Sequence, residues 1–233
     1  MKPLLEQVAT FCDDIIIVYF DHLLNGISEP IDEVNQFKLI APNNIRTLCL
    51  PFTTGKPPRF FHNQARWLAT DLTKYDYILY LDADEIPNGK EFKDFLTNTN
   101  ITKYDGIDFR TYWYFRSAVN QAIQTEHCGL LVNKNILFEE CMFTEHERWI
   151  FRHIRHLNYA PLVSGINGLP LMHHFSWVRT KEEMLTKVDA WGHKNDKDWK
   201  SLIETEFSRP FNGTDFVHGY KYQHVSDMFN IGL

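Results

Sequence analysis

The chain has 233 residues, with 24 Lys and Arg against 30 Asp and Glu and a formal net charge of -6. That length carries one full α/β domain with a sizeable core and is short for two. The acidic balance excludes a general electrostatic attraction to nucleic acid or to an anionic membrane, so any bound phosphate must be held locally. The longest apolar run, residues 15–20, falls far short of the ~20 residues a membrane-spanning helix requires, and no signal peptide opens the chain. The expectation is a soluble, cytoplasmic protein. Cys12, Cys49, Cys128 and Cys141 show no CxxC spacing, so neither a zinc knuckle nor a disulfide framework is indicated.

In chain order, residues 3–11 read as a helix with Leu4, Leu5, Val8 and Phe11 on one face, leading into a buried strand over residues 14–20 that ends at Asp21. Asn25-Gly26 is a turn signal, residues 30–37 form a short helix opening on proline, and residues 38–41 a brief strand. This alternation is α/β logic. A Thr-, Gly- and Pro-rich loop over 51–58 precedes a helix at about residues 60–72. Its apolar face is Phe61, Ala65, Leu68, Ala69 and Leu72, and His62, Asn63 and Arg66 lie off it.

Residues 77–81 are a short, continuous apolar and aromatic run, the pattern of a strand buried on both faces. It ends abruptly in Asp82, Ala83 and Asp84, at the edge where open α/β sheets place their ligands. If the strand continued, alternation would send both carboxylates to one side, where two oxygens can meet one hard cation.

Asn88-Gly89 then turns the chain into a short helix containing Phe92, Phe95 and Leu96, and residues 106–116 and 130–132 read as strands. The aromatic run Phe109, Tyr112, Trp113, Tyr114 and Phe115 suits a sugar-stacking wall or plain core, with core the commoner use of strand aromatics. Residues 139–156 are rich in acids, arginines and histidines, and residues 161–171 read as a Gly- and Pro-punctuated loop before His173-His174-Phe175-Ser176-Trp177-Val178-Arg179. Thr180 and Glu183 form a capping box for a helix whose Met184, Leu185, Val188 and Trp191 share a face and whose end is Gly192. A last helix, about residues 199–207, is stopped by Pro210. With no repeat and no interdomain linker, residues 1–233 read as a single domain, a core to about residue 179 and a helical tail over about 180–233.

Residues 52–87 resemble the nucleotide-sugar glycosyltransferases of family 2 and their relatives with the GT-A fold. The likeness runs through the strand ending at Asp21, an aromatic-proline loop, a helix opening His62-Asn63-Gln64-Ala65, and Leu79-Tyr80-Leu81-Asp82-Ala83-Asp84-Glu85. It covers residues 1–90 well and the remainder only in general layout. The resemblance implies a GT-A-like (Rossmann-like), mainly parallel sheet flanked by helices. It also implies metal-dependent transfer of a sugar from a nucleoside diphosphate sugar to a saccharide or other hydroxyl acceptor, with inversion. The family usually begins with a further strand carrying a base-binding stretch, where this chain has a helix. Either an N-terminal strand is missing or the base pocket is built otherwise.

The family's Asp-x-Asp lands on Asp82 and Asp84, with Asp84 in direct metal contact and Asp82 sharing the metal or binding the ribose. Asp21 and Asn63 fall at substrate-contacting positions. His173 and His174 point to opposite faces of a strand, so one of them, His174 by preference, reaches the metal, and an imidazole ligand favours Mn²⁺ over Mg²⁺. Arg179 and Lys181 suit a diphosphate clamp. The carboxylate that takes the acceptor's proton falls by chain order on Glu147, then Glu145, then Glu126. Two other readings stay open: a haloacid-dehalogenase-like phosphatase with Asp82 as nucleophile and Asp84 as acid, and a catalytically inactive carbohydrate-binding remnant.

Overall fold

A computed structural model describes residues 1–23, 25–28, 45–51, 53, 55–144, 157–191 and 193–232. The helix expected over residues 30–37 and the strand over 38–41 lie outside these. The longest strands, β5 (Gly106–Phe115) and β6 (Ser117–Asn133), are separated by Arg116 alone, at a left-handed φ of 61°. So short a link permits only antiparallel pairing. This hairpin is the spine of a sheet ordered β3-β6-β5-β8-β4, where β3 is Tyr77–Tyr80, β8 is Met172–Trp177 and β4 is Glu85–Pro87. β7 (Tyr159–Val163) also pairs with β5, and β9 (Tyr222–His224) with β6.

The fold is α/β, but the sheet is mixed where a mainly parallel one was expected. β5 runs parallel to β7 and β8, whereas β3 and β9 are antiparallel to β6 and β4 is antiparallel to β8. β1 (Ile15–Phe20) and β2 (Ile45–Leu50) form a separate parallel pair. β9 also shows that the C-terminal tail is not helical alone, since it adds a strand to the main sheet.

Helices cover the sheet with the faces their periodicity marks. Leu4, Leu5 and Val8 of α1 (Lys2–Val8) share a cluster with Ile86, Tyr114 and Phe175. Phe92 and Phe95 of α3 (Gly89–Asn98) meet Phe109 at ring-centroid distances of 4.8 and 5.6 Å. α2 is Pro58–Leu72 and α4 is Glu139–Thr144. Met184 and Val188 of α5 (Lys181–Ala190) and Trp199 and Ile203 of α6 (Trp199–Phe207) pack on Trp113, Phe115 and Trp177. Phe109, Trp113, Tyr114 and Phe115 are therefore core, not an open stacking wall. Arg116 is held at its uncommon backbone angle from outside the hairpin: its guanidinium donates to Glu206 Oε1 at 3.2 Å and lies 4.4 Å from the Phe207 ring centroid. Among the described residues no helix is long and apolar enough to cross a membrane, and Cys12, Cys49 and Cys128 are free thiols.

Gly89, the first residue of α3, sits where α1 approaches most closely. A Cβ there would lie 2.5 Å from both the Gln7 carbonyl oxygen and Thr10 Oγ1. Helix propensity alone favours Gly89→Ala by about 0.5–1 kcal/mol, but overpacking against backbone costs about 1–3 kcal/mol. The clash wins, so Gly89→Ala is expected to lower the urea midpoint; an unchanged or raised midpoint refutes this account of the α1–α3 contact.

Candidate functional site

The Asp-x-Asp stands at the C-terminal end of β3, in a turn rather than in a continued strand. Glu85 N–H donates to the Asp82 carbonyl at 3.0 Å, and Asp82 N–H donates to Glu85 Oε2 at 3.0 Å. This turn gives the two carboxylates different surroundings. Asp82 Oδ1 accepts from Arg66 Nη2 at 2.6 Å, an ion pair in which the arginine side chain is 10% exposed. Arg66 lies one helical turn beyond Asn63 on α2, which puts both on one side of that helix. Asn63 is buried, and among the described residues neither polar atom of its side-chain amide has a hydrogen-bond partner.

Asp84 is turned toward β8. In the β4–β8 pairing Glu85 opposes His174, and Phe175 N–H donates to the Asp84 carbonyl at 2.8 Å. His174 Nε2 then lies 3.4 Å from Asp84 Oδ1, with Arg179 Nη2 at 3.6 Å and Lys187 Nζ at 3.9 Å from Oδ2. Burial alone would raise the Asp84 carboxyl. The hydrogen bond and charge of His174, and then the charges of Lys187 and Arg179, overcome it and hold the group well below the usual carboxylate range.

The cations are themselves positioned. Arg179 Nε donates to the Ser176 carbonyl at 3.1 Å, and Lys187 Nζ donates to Ser176 Oγ at 2.6 Å while standing 5.7 Å from the Trp177 and Trp191 ring centroids. Burial lowers the Lys187 ammonium from its ordinary value, and Asp84 offsets part of that. The expected capping box aims the helix: Thr180 N–H donates to Glu183 Oε2 at 2.8 Å and Glu183 N–H to Thr180 Oγ1 at 3.2 Å. Lys187 then falls on the buried side of α5, between Met184 and Val188.

The lysine beside Asp84 is thus Lys187, whereas Lys181 is the one expected to join Arg179 in a diphosphate clamp. Lys181 Nζ instead lies 2.5 Å from Glu204 Oε2 and ties α5 to α6. A signal for Lys187 was present, since it interrupts the apolar face of Met184, Val188 and Trp191 at helical spacing. Asp21 is a half-exposed carboxylate 2.5 Å from His22 Nδ1. Glu145 and Glu147 lie outside the described residues. Glu126 accepts from the Tyr220 hydroxyl at 2.7 Å and stands 3.5 Å from His218 Nδ1.

The two histidines separate as strand alternation requires. His174 reaches Asp84, while His173 is buried between Tyr114, Phe175 and Phe229 and is not among the groups around Asp84. Gln121 Nε2 donates to the Tyr114 hydroxyl at 2.8 Å, and the same hydroxyl is hydrogen-bonded with His173 Nδ1, also at 2.8 Å. Burial lowers the His173 pKa to about 4.

No family model matches the chain, and no curated protein matches it in sequence. Among solved structures it is similar to the apo form of the glycosyltransferase GlyE of Streptococcus pneumoniae TIGR4, at 14% identity and a TM-score of 0.40 over 91% of this chain and 62% of that one. It is also similar to a Bacillus anthracis protein described as a glucose-1-phosphate thymidylyltransferase, in complex with sucrose. There the identity is 12% and the TM-score 0.40, over 86% of this chain and 79% of that one. The chain therefore spans less than two thirds of GlyE. Likenesses this distant leave function to be argued from the site itself.

His173 makes stability depend on pH. Its pKa falls from 6.5 unfolded to about 4 folded, so between those values the unfolded chain binds a proton that the folded chain refuses. Stability is full above pH 6.5 and declines as pH falls toward 4, by up to roughly 3 kcal/mol. Denaturant titrations of His173→Gln should lack this component between pH 7 and 4; an unchanged slope rejects the neutral, Tyr114-bonded imidazole.

Proposed function

We propose that the chain is a cytoplasmic, metal-dependent glycosyltransferase that moves a sugar from a nucleoside diphosphate sugar to a saccharide or other hydroxyl acceptor, with inversion. The observation that carries this reading is the company Asp84 keeps. Among the described residues, Asp84 is the carboxylate that both Arg179 and Lys187 touch within 4.0 Å, and His174 sits beside it. Two cations and an imidazole thus converge on one carboxylate in a chain of net charge -6. Convergent cations of this kind suit a diphosphate, with Arg179 as planar fork and Lys187 as point charge.

The donor set also fits a divalent cation. The 3.4 Å between His174 Nε2 and Asp84 Oδ1 is close to the ~3 Å between adjacent corners of an octahedron with bonds of about 2.1 Å. Asp84 and His174 would hold the ion, Asp82 would share it or bind the ribose, and an imidazole beside carboxylates favours Mn²⁺ over Mg²⁺. Once bound, that ion supplies Lewis-acid neutralisation of the departing diphosphate. Arg179 and Lys187 bind and orient the same phosphates, and Asn63 turns its buried amide to the nucleotide. Glu147, or failing it Glu145, takes the acceptor's proton.

The test is thermal stabilisation by UDP-, GDP- and dTDP-sugars with and without Mn²⁺. A ligand confined to the folded state stabilises by about 2.7 kcal/mol at a hundredfold excess over Kd. Asp84→Asn should abolish the metal-dependent shift. Lys187→Ala should weaken donor binding about 10- to 100-fold, the loss of one charge-assisted hydrogen bond of ~1.5–3 kcal/mol, and Lys181→Ala should leave it unchanged. If the intact chain responds to none of these donors, the reading fails.

A further inference from the structure

Three side chains from three strands meet beside the Asp84 cluster: Glu85 on β4, Cys128 on β6 and His174 on β8. A carboxylate oxygen, the thiol sulfur and a ring nitrogen all lie within 4.8 Å of one another. Glu85 and Cys128 are 0% and 1% exposed, and the His174 side chain retains 16%.

A device in β6 places the thiol there. Gly129, at a left-handed φ of 66°, coincides with a register shift opposite Asp108 and Phe109. Cys128 therefore clusters with Leu131 and Met172, while Leu130 and Val132 face a different cluster. Bulges of this kind re-aim a side chain.

We infer that Glu85, Cys128 and His174 form a binding site for a thiophilic divalent cation, Zn²⁺ above all. Oxygen, sulfur and imidazole nitrogen are zinc's ligand types, and three protein donors with one open position is a recurrent zinc arrangement. The site shares His174 with the ion proposed at Asp84, but its thiolate disfavours Mg²⁺, Ca²⁺ and Mn²⁺ and so selects a different metal. Tetrahedral bonds of about 2.0–2.3 Å put ligand atoms roughly 3.5 Å apart, so the donors need close by only about an ångström. Their supports are in place: Thr111 Oγ1 lies 3.0 Å from both Cys128 Sγ and the Phe109 carbonyl oxygen, and Asp82 N–H donates to Glu85 Oε2 at 3.0 Å. Binding releases the thiol proton to solvent, and the partly exposed His174 is the way in. The inference does not depend on the glycosyltransferase reading, since it needs no donor.

The full chain, stripped with a chelator, would be titrated with Co²⁺. A thiolate-to-cobalt charge-transfer band in the near ultraviolet, abolished by added Zn²⁺, is expected. Cys128→Ser should lose the band although three other cysteines remain, and Asp84→Asn should keep it. Thr111→Val should weaken Zn²⁺ binding about 10- to 100-fold. Should Cys128→Ser fail to fold, X-ray absorption of the zinc-loaded wild-type chain decides the matter, with one sulfur scatterer at about 2.3 Å expected. Cobalt binding without the band, a band that survives Cys128→Ser, only nitrogen and oxygen scatterers, or no metal uptake each overturns the inference.

Discussion

The three-residue pairing of β4 with β8 is the constraint on which the site depends. Glu85 opposes His174, Ile86 opposes His173 and Pro87 opposes Met172. The pairing joins parts of the chain about ninety residues apart and sets the Asp-x-Asp turn against the strand carrying both histidines. It is held from both sides. Ile86 is buried against α1 and Phe175, and Asn88 N–H extends the pairing by donating to the Leu171 carbonyl at 2.9 Å. The edge strand is short, but its side chains lie in the core, which holds Asp84 Oδ1 3.4 Å from His174 Nε2.

Electrostatics at this edge follows from that placement. A carboxylate brought out of water is costly unless paired, and Asp84 is paired with His174, Arg179 and Lys187 together. Lys187 in turn is sheltered by Trp177 and Trp191, rings on which an ammonium is favourably placed. Arg179 and Lys187 are the cations that the proposed diphosphate would engage, and the Asp84 side chain is 24% exposed. Asp82 is compensated separately, by Arg66.

Much of the frame was legible from local pattern. The apolar faces of α1 and α5, the capping box of Thr180 and Glu183, and the Asp-x-Asp at the end of a strand stand where periodicity and turn chemistry put them, although β3 is half-buried at the end of the sheet order rather than buried on both faces. So does the opposite orientation of His173 and His174, which follows from strand alternation. β6 was less visible. Only its last apolar residues looked like strand, because positions such as Gln124, Thr125 and Glu126 are polar; Thr125 and Glu126 are held in the strand by pairing with Tyr112 and Thr111 of β5.

By itself, the sequence determined the α/β class, the helix faces and the position of the acidic motif, because each depends on residues within a few positions of one another. Only the tertiary structure decided the mixed sheet, the short β4, and the partners of the charged groups. Lys181 and Lys187 occupy the same helix, yet one faces Glu204 and the other Asp84; the interrupted apolar face marks Lys187, but its partner follows only from how α5 lies against Trp177. Glu85, Cys128 and His174 come from strands scattered along the chain, so no spacing could announce their meeting. Local chemistry is written in neighbouring residues, whereas the partner of a buried charge is set by which distant strand lies beside it.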